Sequence, residues 1–127
     1  MANSKIYAIQ VNAVSAFMAD QSDEASGRFA FVYTITITNT GTVPAQLISR
    51  HWIITDSEHQ VQEVQGLGVV GEQPLLAPGD RFEYTSGAVL ATPVGMMRGS
   101  YQMVAEDGVR FDAPIDEFML AMPRVLH

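Results

Sequence analysis

The segment RFAFVYTITITNT, Arg28 to Thr40, changes side-chain character at every step. Phe29, Phe31, Tyr33, Ile35 and Ile37 fall on one side, and Ala30, Val32, Thr34, Thr36 and Thr38 on the other. A period of two in β-branched and aromatic residues specifies a strand with one buried face. A helix would scatter the same residues around its axis. Asn39 to Gly41 then supplies a turn.

The same pattern recurs along the chain. Ala45 to Asp56 reads as a second long strand, with Leu47, Ser49, His51, Ile53 and Thr55 on one face and Ile48, Arg50, Trp52 and Ile54 on the other. Apolar groups on both faces predict a central position. HQVQEV is a short strand, and RFEYTSGAVL, MMRGSYQMVAE and VRFDAPIDEFML are three more. The first strand is expected within KIYAIQVNAV, where alternation is imperfect. Pro114 marks the last as an edge strand. Asp107-Gly108 is a two-residue hairpin signal. Met18 to Gly27 is small and polar and reads as a mobile loop. Short strands at this spacing predict an all-β sandwich or barrel.

One domain is expected over residues 1–127, enough for a core without staples. There is no cysteine, hence no disulfide and no thiolate ligand. No apolar run has signal or membrane-spanning length, and the expected location is the cytoplasm. The net charge of −7, with Lys5 and six scattered arginines, argues against nucleic acid.

Gly66, Gly68 and Gly71 have the G-x-G-x-x-G spacing found at nucleotide phosphates. That chemistry needs a helix after the glycines, whose N-terminal N–H groups hold the anion. Pro74 and Pro78 stand where the helix would run, and a proline inside a helix costs about 3 kcal/mol. A P-loop also fails, since no Lys-Ser or Lys-Thr follows. Backbone N–H groups alone can still form an anion-binding concavity, with Arg50, Arg81 or Arg98 as a helper if the fold brings one near. The alternative is structural, because glycines permit positive φ and close strand approach.

The remaining constellations are weaker. His51 and His59, with Asp56 and Glu58 between them, have metal-binding chemistry. Residues eight apart on an extended strand are about 25 Å apart, so only a sharp hairpin could join them. His127 is terminal and expected to fray. Ser49 and His51 run parallel on one strand face, which is not a triad with Asp56, and no nucleophile elbow is present. Glu63 and Asp80 are separate loop acids. Met96 and Met97, beside Gly95, are candidates for exposure among methionines that otherwise read as core filler. Arg50 and Trp52 share a strand face and are residue types enriched at interaction hot spots. Their structural reading is a buried tryptophan with an arginine stem beside it.

RHWIITD (Arg50 to Asp56), EVQGLGVVGEQPLLAPGDRFEYTSG (Glu63 to Gly87), TPVGMMRGSYQM (Thr92 to Met103) and the closing FDAPIDEFMLAMP together resemble the ApaG (CorD) family. The resemblance spans nearly the whole chain and is weakest before Arg28. It implies a β-sandwich of two antiparallel sheets packed face to face, like fibronectin type III or immunoglobulin domains, with no settled enzymatic activity, no cofactor, and an indirect link to cobalt and magnesium resistance. Related domains in a eukaryotic F-box protein and a polymerase-associated protein look like interaction modules. The combined expectation is a binding domain for an as yet unknown protein partner. Its partner patch would be Arg50, Trp52 and the Gly66 to Gly71 loop, on an exposed sheet edge or the end loops. No catalytic or metal residue is expected. The alternative is a protein or hydrolase acting on phosphate, pyrophosphate or a nucleotide, with Gly66, Gly68, Gly71 and Arg50 as the ligand site.

Overall fold

The structure, a computed structural model, describes residues 4–123. Eight strands follow one another: β1 Ile9–Phe17, β2 Phe29–Asn39, β3 Ala45–Asp56, β4 Val61–Leu67, β5 Leu75–Leu76, β6 Arg81–Leu90, β7 Val94–Ala105 and β8 Arg110–Ala121. They form two antiparallel sheets, a β-sandwich of the expected kind. One sheet has the order β1-β2-β6 and the other β4-β3-β7-β8, with β5 following β4 along the same side of β3. Among the described residues no helix is long and apolar enough to cross a membrane.

Alternation in β2 is realised as written. Phe29, Phe31, Tyr33, Ile35 and Ile37 are buried, and the ring of Tyr33 meets Trp52 of the other sheet at a centroid distance of 5.5 Å. Trp52 also packs edge-on against Tyr101 of β7 and Phe118 of β8, at 6.3 and 5.9 Å. Edge-to-face pairs at these distances favour a fixed geometry as well as burial.

β3 has the expected bounds and central position, but its two faces need correction. The register against β7 shifts between Leu47 and Ser49. An extra residue there reverses the phase of the strand. Ala45 and Leu47 therefore reach the core before the shift, and Trp52 and Ile54 reach it afterwards. Strict alternation would have put Leu47 and Ile54 on opposite faces.

Other expectations shift more modestly. β1 begins at Ile9 and runs on to Phe17; Ile9, Val11, Ala13 and Phe17 pack on the core and Val14 faces solvent. The Met18 to Gly27 segment, between the first two strands as expected, carries two 3-10 turns, Ala19–Gln21 and Glu24–Ser26. The β7–β8 hairpin has three loop residues, not two: the Ala105 N–H donates to Val109 O and the Gly108 N–H to Ala105 O, with Gly108 at φ 87.

The sandwich closes along one side and stays open along the other. At the closed side Ser15 Oγ on β1 donates to Met119 O on β8 at 2.7 Å. At the open side lie β6 and β4, each bonded to one neighbour only.

Candidate functional site

Reversal of phase in β3 turns Arg50 inward together with Trp52, at the open side. Arg50 pairs with Gly66 on β4 and Tyr101 on β7. A Cβ on Gly66 would lie 3.0 Å from both Nη1 and Nη2 of Arg50, so the guanidinium rests against the bare glycine backbone. Nη1 donates to the carbonyls of Leu67 at 3.0 Å and Gly68 at 2.8 Å. Nη2 and Nε have no hydrogen-bond partner among the described residues, and no carboxylate there pairs with this arginine.

Arg50 sits in a groove between β4 and β6. One end, of about 310 Å³, has Tyr33 and Trp52 as its floor, Gln62 and Val64 on one wall, and Ser86 and Ala88 on the other. The other end, of about 280 Å³, is bounded by Leu67, Val69, Val70, Gly71 and Tyr84. The Tyr84 hydroxyl hydrogen-bonds that of Tyr101 at 2.5 Å, joining the two sheets beneath the groove. Burial pushes the Tyr84 phenol up to about 12, and the Tyr101 phenol is raised further for the same reason, with the nearby Arg50 charge opposing both.

The three glycines do not act alike. Gly66 lies within β4, not in a loop. Gly68, at φ 65, donates its N–H to Ile48 O at 2.8 Å. Val70 and Gly71, at φ 43 and 82, occupy the centre of a tight turn whose ends, Val69 and Glu72, exchange hydrogen bonds of 2.8 and 2.9 Å. Positive φ at both central residues is the type I′ pattern of two-residue hairpins. The N–H groups of Gly68, Val69 and Glu72 are thus committed within the chain, and the carbonyls of Leu67 and Gly68 converge on a cation. No helix follows Gly71; Pro74 O accepts from the Leu47 N–H and the chain enters β5.

The other candidates lie apart from this groove. His51 faces outward, its Nε2 3.5 Å from Glu63 Oε2 without a hydrogen bond. Ser49 Oγ donates to Gln102 Oε1, whose amide donates to Ser100, so the serine is not directed at His51. Asp56 Oδ1 accepts from the Glu58 and Gln60 N–H groups and closes the β3–β4 turn that holds exposed His59 at φ 65. Asp80 Oδ2 accepts from the Ala77 N–H. Among the described residues no three His, Cys, Asp or Glu side chains converge to hold a metal ion. Neither Arg81 nor Arg98 lines the groove. Met97 is fully buried, against the expectation of exposure. His127 lies outside the described residues.

Tyr33, Tyr84 and Ser86 were not singled out by sequence. β6 reaches the groove by pairing with β2, and no spacing within the chain signals its approach to β3.

Fold and groove together define a small β-sandwich domain of the fibronectin type III-like class, open along one side around an arginine. The ApaG domain family model matches residues 19–105. Over 127 residues the chain is 67% identical to Protein ApaG of Thiobacillus denitrificans and 65% identical to Protein ApaG of Nitrosospira multiformis, with full coverage of both partners in each comparison. The crystal structure of an ApaA protein from Bordetella pertussis superposes with a TM-score of 0.92 at 58% identity, covering 97% of this chain and 100% of that one. The chain belongs to the ApaG family.

Proposed function

We propose that this chain works by binding rather than by chemistry, and that the groove around Arg50 is its binding surface. One observation carries this reading: an arginine on the inward face of a sandwich, held by two carbonyls through one nitrogen, with no carboxylate partner among the described residues. A guanidinium retained without a counter-ion is a ready receptor for a carboxylate or phosphate. Trp52, at 2% exposure, contributes as floor rather than as a contact. Val70 supports the same reading, because a β-branched residue at positive φ is strained, and such strain gathers at functional sites. The link to cobalt and magnesium handling runs, in this reading, through the bound partner.

The test is a titration of the full chain, labelled with nitrogen-15, with acetate, inorganic pyrophosphate, ATP, magnesium and cobalt. Acetate and pyrophosphate are expected to shift the Arg50 Nε–H resonance and the backbone amides of Leu67, Gly68 and Val69 beside the guanidinium, and Arg50→Gln to abolish the shift of those amides. Silence at Arg50 removes the groove from consideration. The second reading, a phosphate ligand or hydrolase centred on Gly66 to Gly71, requires pyrophosphate or ATP to move those amides where acetate does not. Release of inorganic phosphate would establish catalysis. Cobalt-induced shifts at His51 or His59 would transfer the function to a metal site.

A further inference from the structure

We infer that the free edge of β6, from Tyr84 to Leu90, is a strand-addition site for an extended peptide segment whose Asp or Glu side chain pairs with Arg50. This rests on the groove being the binding surface, and it names the occupant.

The two sheets do not match in strand number. The sheet β1-β2-β6 faces the four strands β4-β3-β7-β8. The β1 edge is fastened to β8, and Tyr33 and Tyr84 reach across to Trp52 and Tyr101. Among the described residues β4 is left with no strand opposite. Its inward residues Gln62 and Val64 stay exposed, and Val64 retains 38% of its surface. A fourth strand beside β6 would lie over β4 and complete the second layer.

The sheet edges also differ in how they are protected. Exposed edges are normally blunted by proline, bulges, charge or cover. β8 carries Pro114, Asp116 and Glu117 and has a register shift against β7. β1 is fastened to β8. β4 carries Glu63 and the glycine at position 66. β6 pairs with β2 in unbroken register from Phe29↔Leu90 to Thr38↔Arg81. Beyond Glu83 it has no charge, no proline and no bulge, and Ser86, Gly87 and Ala88 leave room for a second backbone. Alternate N–H and C=O groups of an antiparallel edge strand point away from its partner, and β6 has no neighbouring strand on that side among the described residues.

Charge selects the occupant. Inward side chains of an added strand are about 6.6 Å apart, so one position meets Arg50 while the next packs on Val64 or Ala88. Nη1 is tied to the β4 side, which leaves the other donors for a carboxylate arriving from β6. A second copy pairing through its own β6 would present Phe82, Tyr84, Ser86, Ala88 and Leu90 inward, none of them acidic. Such a copy leaves Arg50 unpaired.

The experiment pans a display library of random dodecapeptides against the immobilised full chain. Enriched peptides are then synthesised and titrated into labelled protein, with amide hydrogen exchange as a second readout. The expected peptides share one Asp or Glu within an alternating run and protect amides of β6. Arg50→Gln should weaken them tenfold or more, since a charge-assisted bond is lost. Ser86→Glu, which supplies Arg50 with an internal carboxylate, should do the same while leaving the melting temperature unchanged or raised. No enrichment, no shared carboxylate, protection on β4 instead of β6, or a concentration-dependent dimer protecting β6 each overturns strand addition. An acetate response at Arg50 without peptide protection of β6 sinks this inference and spares the groove; failure of both removes both.

Discussion

A Cβ at Gly66 would meet only the end of the Arg50 side chain, whereas one at Gly68 would run into the Glu72 carbonyl oxygen at φ 65. The first obstacle can swing aside; the second is backbone. Gly66→Ala should therefore leave stability within about 0.5–1 kcal/mol of the parent, the size of the Gly-to-Ala strand preference, while displacing the guanidinium and weakening the acetate response. Gly68→Ala should cost about 1–3 kcal/mol, read as a lower midpoint in urea unfolding. Equal loss of stability in both variants would mean that Gly66 is structural and that Arg50 is not held by it. Val70, 57% exposed at φ 43, carries strain that asparagine tolerates at the same turn position. Val70→Asn should stabilise by about 1 kcal/mol, or about 4 °C in melting temperature. A lower melting temperature in that variant would show that the valine contributes packing that outweighs its backbone cost.

At the scale of elements, β2 was legible because alternation is uninterrupted up to the Asn39 turn, and β3 and β6 because β-branched and aromatic residues recur along them without a proline. Arg50 and Trp52 were legible as one face because a spacing of two survives any bulge outside it. The register shift after Leu47 was not, since an extra residue leaves no mark in composition. The groove was not, since β3, β4 and β6 meet there through pairings that local pattern does not encode. The N-terminal segment shows the same limit. Residues 5–8 read as the start of a strand but instead clasp the β7–β8 hairpin: Tyr7 and Lys5 both donate to Asp107 Oδ2, at 2.5 and 2.9 Å. Those two hydrogen bonds, that of Tyr7 foremost, hold the Asp107 carboxyl down to about 2. A depressed carboxylate adds its stabilisation above its unfolded value near 3.8 and loses it as pH falls through about 2. Amide shifts of residues 5–8 should change over that window, with the global melting temperature unaffected by the same clasp because the group is exposed. In Asp107→Asn the pH dependence of these shifts should vanish, while the hydrogen bonds of Ile6 and Ala8 to Thr42 and Thr40 keep the backbone of the segment in place; a transition that persists in this variant would assign it to another group.

For the whole molecule, the Tyr84–Tyr101 bond is a buried side-chain tie between the two sheets, set in apolar packing beside the Asn39 amide of β2 that donates to Leu76 O of β5 and the Ser15 hydroxyl that donates to Met119 O. Its worth lies in the asymmetry between removing one hydroxyl and removing both. Tyr84→Phe or Tyr101→Phe alone strands the remaining hydroxyl in a site built to exclude water, at a cost of about 1–3 kcal/mol. The double variant removes both polar groups and should recover most of that loss, so the double-mutant cycle has a large interaction energy. Additive single effects would show that the tie does not hold the sheets. The same pair sets the alkaline limit. Both phenols are raised by burial, that of Tyr84 to about 12, so the folded chain keeps protons that the unfolded chain gives up near 10. Stability is complete below that point and falls as pH rises toward 12. Absorbance at 295 nm should accordingly show these two tyrosines ionising together with loss of the near-ultraviolet circular dichroism of Trp52, whereas the double phenylalanine variant should carry its fold to higher pH. If both tyrosinates form while the Trp52 signal is intact, water reaches the bond, and the open side extends deeper than the groove between β4 and β6.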